Sequence, residues 1–334
     1  MGVDTALIWA MIIAFGVMLY VIADGFDLGI GILFAVIKDE DHRGQMVHSI
    51  APVWDGNETW LVMGGAGLMA AFPIAYSAIL SALYIPIILM LLGLILRGVA
   101  FEARLKSRNR SRHLWDKALF GGSFMATFSQ GVILGTYISG IEMQNKMFSG
   151  GPMDWVSPFS LFCGIALVVA YSLLGATWLI MKTQGQLQSS LRTMARPLVL
   201  LMALFIAGVS IWTPLAHGDI ATRWFSVPNI FWLIPLPVLT ACTCTYLYRS
   251  LAKGEFMPFV MTLSTIALGY LGLLISLWPN VIPHEITIWE ASSPASSQGF
   301  TLVGTLLILP LILVYSAWSY YVFRGKVRDH EAYH

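Results

Sequence analysis

Long apolar runs alternate with short polar segments along the whole chain. A helix rising 1.5 Å per residue needs ~20 apolar residues to cross the ~30 Å hydrocarbon core of a bilayer. Nine runs meet or approach that length, at approximately 6–37, 56–75, 77–101, 117–140, 158–181, 197–216, 227–249, 256–281 and 299–323. The first is too long for one straight crossing, so it tilts or extends past the membrane. The second is the weakest, because it opens on Asp55, Asn57 and Glu58 and is rich in glycine. The N-terminal run lacks a basic leader and a small-residue cleavage site, and reads as an uncleaved span. The pattern predicts an all-α polytopic membrane protein of about nine transmembrane helices, with residues 1–334 as a single integral membrane domain.

Composition agrees. Hydrophobic residues make up 57% of the 334 and charged ones only 11%, against ~25% charged in a soluble protein. Disorder, collagen and a disulfide-stapled secreted module are excluded. Cys163, Cys242 and Cys244 all fall in apolar runs, where they read as packing or lipid-facing residues, with metal binding as the minor alternative. No phosphate loop, CxxC pair, nucleophile elbow or HExxH is present.

The net charge of +1 conceals an asymmetry. With the N-terminus outside, 16 of the 19 basic residues fall in inner loops. These are Lys38 and Arg43, the run from Arg104 to Lys117, Lys182 to Arg196, Arg249 and Lys253, and Arg324 to Arg328. Only Lys146 and Arg223 are outer, and Arg97 lies within a span. The positive-inside rule then gives an odd number of spans, with the N-terminus periplasmic and the C-terminus cytoplasmic. The basic run 104–117 is a topology signal, so no nucleic acid is expected as a partner. Membrane lipid is.

Ionisable groups inside spans cost ~2.5–3.5 kcal/mol on insertion scales, so each needs a reason. Asp24 and Asp27 lie one helical turn apart toward the inner end of the first span. Gly25 and Gly29 beside them let another helix approach closely. Asp55 and Glu58 are three apart at the mouth of the second span, at the same depth. Four carboxylates near one face could carry protons inward. The competing readings are snorkelling for the first pair and a helix N-cap for Asp55. Arg97 and Glu102 flank the inner end of the third span, and a membrane arginine there calls for a carboxylate partner. His42, His48, His113, His217, His284, His330 and His334 all fall in loops, span ends or the tail. Axial haem ligands come from helices, so the chain is not expected to ligate a haem itself.

The segments Asp24-Gly-Phe-Asp-Leu-Gly-Ile-Gly31, Ser49-Ile-Ala-Pro-Val-Trp-Asp-Gly-Asn-Glu-Thr-Trp-Leu61 and Arg97-Gly-Val-Ala-Phe-Glu102 resemble subunit II of cytochrome bd quinol oxidases. So do Trp115-Asp116, Gly121-Gly-Ser-Phe124, Gln130-Gly131 and Trp289-Glu-Ala-Ser-Ser293. The short loop between the sixth and seventh spans is similar to the cyanide-insensitive branch. The resemblance implies a bacterial inner-membrane subunit beside a haem-bearing subunit I that holds haems b558, b595 and d. Together they oxidise quinol and reduce oxygen to water with cytoplasmic protons. Asp55 matches the family's proton-path acid, Asp27 a neighbouring acid and Arg97 the basic residue near them. A structural quinone in this subunit and a small accessory subunit are further implications. Two other readings stand beside it: a proton-coupled secondary transporter using Asp24 and Asp27, and a purely structural membrane scaffold.

Overall fold

A computed structural model of the chain describes residues 4–107 and 109–327. Arg108, Arg328, His330 and His334 lie outside the described residues, as does the side chain of Arg110. Helices follow one another along the chain as α1 (Thr5–Leu33), α2 (Glu40–Ile50), α3 (Trp54–Ala71), α4 (Pro73–Ala82), α5 (Tyr84–Lys106) and α6 (Asn109–Ser139). After the short hairpin β1 (Met143–Gln144) and β2 (Met147–Phe148) come α7 (Pro158–Lys182), α8 (Gly185–Ala216), α9 (Gly218–Phe225), α10 (Asn229–Leu233), α11 (Pro235–Ser250) and α12 (Met257–Leu277). A second hairpin, β3 (Asn280–Ile282) and β4 (Ile286–Thr287), precedes the final helix α13 (Ala295–Val322).

Local chemistry sets several of these boundaries. The Asp4 carboxylate accepts from the Leu7 N–H and caps α1. Ser157 and Ser160 form a capping box at the start of α7, with Pro158 as its first residue. Proline also opens α4 and α11, where its missing N–H costs nothing.

Among the described residues, eight helical segments are long and apolar enough to cross a membrane, counting α10 and α11 as one. The all-α reading holds, with changes in detail. The expected second span is α3, whose polar first turns keep it out of that set. The boundary expected near residue 76 falls inside α4, because Pro73 breaks the helix three residues earlier. Helix α8 begins at Gly185, well before the expected 197, since Pro197 is accommodated within it. Helices α2 and α9 and the first hairpin lie in segments read only as loops, and β3 begins on the last two residues of the expected span 256–281.

Contacts between distant loops define two ends of the bundle. At one end Arg104 and Arg112 meet Glu40, the Arg192 guanidinium donates to the Leu251 carbonyl, and Lys326 pairs with Glu255. The buried Lys182 ammonium donates to the carbonyls of Phe323 and Gly325. These are the loops that carry most of the basic residues. At the other end Trp289 reaches Asp4, Ser293 reaches the carbonyls of Ala70 and Ala71, and His284 pairs with Asp219.

Helix α1 is the hub and packs on α3, α6 and α7. It meets α7 backbone to backbone. A Cβ on Gly29 would collide with the Tyr171 carbonyl, and one on Gly175 would lie 2.6 Å from the Ile30 nitrogen. This is the close approach expected of the Gly25–Gly29 pair.

Candidate functional site

The C-terminal half of α1 carries Asp24-Gly-Phe-Asp27, and each position has a separate job. Asp24 and Asp27 are 0% and 1% exposed, so both carboxyls are withdrawn from solvent. Gly25 leaves room for the Tyr171 ring. Phe26 stacks on Trp178 of α7 with centroids 4.2 Å apart and also meets Phe259 of α12. That aromatic anchor fixes the rotation of α1 and thereby aims the two acids at α3 and α5.

Arg97 of α5 supplies the countercharge. Its Nη1 lies 2.7 Å from Asp24 Oδ1 and its Nη2 lies 3.2 Å from Glu58 Oε1. The guanidinium carbon also sits over the Trp54 ring at 5.8 Å. The carboxylate partner that a membrane arginine requires is therefore Asp24. Among the described residues, Asp27 has no cation within bonding distance. Its Oδ2 accepts a 2.8 Å hydrogen bond from the Asn57 amide, and Asn57 Oδ1 accepts in turn from the Tyr320 hydroxyl at 2.6 Å. One turn before Asp24, the Tyr20 hydroxyl accepts from Gln130 at 2.7 Å, and Tyr171 donates to Gln130.

Four buried atoms of this cluster have no hydrogen-bond partner among the described residues: Asp24 Oδ2, Asp27 Oδ1, Arg97 Nε and Arg97 Nη2, the last in ion-pair contact with Glu58 without a hydrogen bond. Leaving such groups unpaired costs roughly 1–3 kcal/mol each, and more when charged. Two carboxyls hold one guanidinium and a third lies one turn away without a cation, so the cluster has more places for a proton than a closed ion pair would.

The four acids singled out in the sequence are thus not equivalent. Asp24, Asp27 and Glu58 converge on Arg97 and Asn57, with the Glu58 side chain 29% exposed at the rim. Asp55 is exposed on the same helix, close enough for its charge to act on Glu58, and no hydrogen bond or ion pair among the described residues ties it to the cluster. It is not the cap of α3 either, since Val53 occupies that position and no side chain caps it. Glu102 pairs with Lys106 one turn on, at 3.1 Å, and plays no part in the cluster. Glu290 accepts from the Thr287 N–H and hydroxyl and closes a turn before α13.

Asn57 and Gln130 were named from the sequence only as parts of a span or of matching segments, with no site role, and Tyr20 and Tyr320 were not named at all. Asn57 carried a signal, because an amide inside a span needs a partner. The tyrosines carried none, since an aromatic in an apolar run reads as packing.

A second charged cluster lies nearer the end that gathers the basic loops. Asp116 is 3% exposed and takes Arg104 on one oxygen and Arg43 on the other, the latter at 2.9 Å. Arg43 also donates to the carbonyls of Phe34 and Ile37, and Arg104 reaches Glu40. Both guanidiniums face the Phe34 ring. Burial, followed by the positive Arg104 nearby, holds the His48 imidazole below its usual pKa.

Helix α1 touches α7 at Gly29 and Gly175, and α5 touches α6 at Gly93 and Gly122, backbone against backbone. The described histidines sit in α2, near the start of α6 or in the segments joining helices, away from the packed interior.

The model of the family described as cytochrome bd terminal oxidase subunit II matches residues 5–323. The chain is 30% identical to cytochrome bd-I ubiquinol oxidase subunit 2 of Escherichia coli strain K12, covering 96% of this chain and 94% of that one. It is also 30% identical to cytochrome bd ubiquinol oxidase subunit 2 of Bacillus subtilis, with 97% of each covered. Its fold matches a chain of the bd oxidase from Geobacillus thermodenitrificans with a TM-score of 0.79 at 17% identity, over 96% and 99% of the two.

Proposed function

The chain belongs to the cytochrome bd terminal oxidase subunit II family, and on that premise we propose that its buried acid cluster forms part of the proton supply of a quinol oxidase. In this reading it assembles with a haem-bearing subunit I in the bacterial inner membrane. The complex oxidises quinol and reduces oxygen to water, and the haems stay in the partner.

The observation that carries the proposal is the cluster itself. Asp24 and Glu58 share one guanidinium inside a helical bundle, Asp27 lies one turn from Asp24 on the Asn57 amide, and buried oxygens of Asp24 and Asp27 have no partner among the described residues. A protein retains such an arrangement in a membrane at a cost, and proton relays are its common use. Glu58 stands at the rim, Arg97 bridges it to Asp24, and Asp27 is the innermost acid. Asp55 lies outside the cluster on the α3 surface and acts as its antechamber once the partner covers that face. Counting α3 as a ninth crossing places the N-terminus outside and the basic end of the bundle inside, where protons enter.

The test is Asp27→Asn in the purified oxidase complex, with turnover measured on a reduced quinone analogue. Turnover is expected to fall at least about tenfold while the haem absorbance spectrum is unchanged. Full turnover would overturn the proton-path assignment.

A further inference from the structure

The acid of this cluster with no cation at its side is also the one with the most elaborate neutral support. Asp27 Oδ2 accepts from the Asn57 amide, and a primary amide offers a donor only if it is turned the right way. Asn57 is turned by Tyr320, whose hydroxyl donates to its Oδ1 at 2.6 Å and so directs the NH2 group at Asp27. Tyr320 is itself held. Its ring meets Phe26 edge-on at 6.5 Å and Trp178 edge-on at 6.1 Å, and both of those rings pack on Phe259. Residues from α1, α7, α12 and α13 therefore fix one amide whose function is to face one carboxyl.

We propose that Tyr320 is a positioning residue that acts through Asn57 to set the proton affinity of Asp27, making Asp27 the exchanging acid while Asp24 stays paired with Arg97. The division follows from the contacts. Asp24 is tied to an arginine, which keeps its charge under all working conditions. Asp27 has one oxygen held by a neutral donor and the other buried with no partner among the described residues. That free oxygen is where a proton can be accepted without breaking an ion pair.

The groups facing Asp27 are few. Asp24 lies on its own helix, Arg97 on α5, Glu58 on α3 and the Tyr320 hydroxyl on α13. Helix α7 adds the Trp178 ring and α12 the Phe259 ring. The nearby α6 face carries the hydroxyls of Ser123 and Thr127. With Arg97 committed to Asp24 and Glu58, the Asn57 donor is the most direct means of adjusting Asp27.

The inference rests on the proton-path reading, and the experiment separates the two. Turnover of the haem-loaded complex is measured against pH for wild type, Asp27→Asn, Tyr320→Phe, Asn57→Leu and the double variant Tyr320→Phe/Asn57→Leu. Infrared difference spectra follow the C=O stretch of the protonated carboxyl that Asp27→Asn abolishes. Losing the donor favours the protonated acid, so in Tyr320→Phe the limb of the pH profile governed by Asp27 is expected to move upward by about one unit. The carboxyl band is expected to shift with it. Asn57→Leu should shift the limb as far or further, and the double variant no further than Asn57→Leu.

If Asp27→Asn leaves turnover untouched, the proton-path reading fails. If Asp27→Asn impairs turnover but neither profile nor band moves in Tyr320→Phe, only the present inference fails. A double variant that moves further than Asn57→Leu would also overturn it, because Tyr320 would then act by another route. So would a Tyr320→Phe complex that does not assemble with its haems, since the hydroxyl would be a structural tie.

Discussion

Two charged clusters lie within a few turns of each other on the same side of the bundle, and they are built on opposite principles. Around Asp116 both carboxylate oxygens are taken by arginines, and those arginines have further acceptors on Glu40, Phe34 and Ile37. Around Arg97 the acids outnumber the cation, and buried oxygens of Asp24 and Asp27 are left over. The first arrangement is closed, and it fastens α2 to α5 and α6. The second is open, and an open buried cluster is costly unless a proton is meant to move through it. Counting charged residues in membrane helices would rank the two alike. Counting their unmet hydrogen-bonding capacity separates them.

The sharpest way to break the comparison is Asp116→Ala, which strands Arg43 and Arg104 without their shared anion. Removing one member of a buried ion pair costs ~3–5 kcal/mol. The complex should lose thermal stability strongly, while turnover per assembled haem stays near wild type. A specific loss of turnover at intact stability would mean that the closed cluster also handles protons.

Next in size are the rim acids. Glu58→Gln removes one Arg97 contact and the partly exposed entry to the cluster, and turnover should fall several-fold, approaching the tenfold that ~1.4 kcal/mol of barrier represents. Asp55→Asn should fall less in the same assay, because it touches no member of the cluster within this chain. The reverse order would place the proton entrance on the α3 surface instead of at Glu58.

The smallest effect concerns His48, beside the closed cluster. Burial and then Arg104 hold its imidazole below the usual value, so the unfolded segment binds the proton more readily. Stability is therefore complete above the unfolded value of about 6.5 and declines as pH falls through it. His48→Gln should flatten that acid limb slightly in melting curves taken across pH 5 to 8. A melting temperature with no dependence on His48 would remove it from the account.

Much of this was legible in the sequence because charge inside an apolar run is conspicuous. Asp24, Asp27, Glu58 and Arg97 all declared themselves that way, and topology alone paired the arginine with the acids. Helical phase was a weaker guide. It placed Asp55 and Glu58 near one another but could not say where the covered face of α3 ends, and that edge runs between them. Pro73 was visible, but a break that splits one apolar stretch into α3 and α4 needs the tertiary contacts of Ala71 to be favourable. Tyr320 was hidden for another reason. A neutral aromatic in α13 gives no hint that its hydroxyl reaches an amide 263 positions earlier.

That separation has a consequence for how the chain is made. Synthesis runs from the N-terminus, so the α1 acids and Asn57 enter the membrane long before α13 exists. Until that last helix docks, the Asn57 amide has no Tyr320 hydroxyl to orient it, and Lys182 has no chain end to clamp. The acid site is thus finished by the same event that finishes the bundle. A ribosome that stops short leaves a subunit whose proton chemistry is as incomplete as its fold.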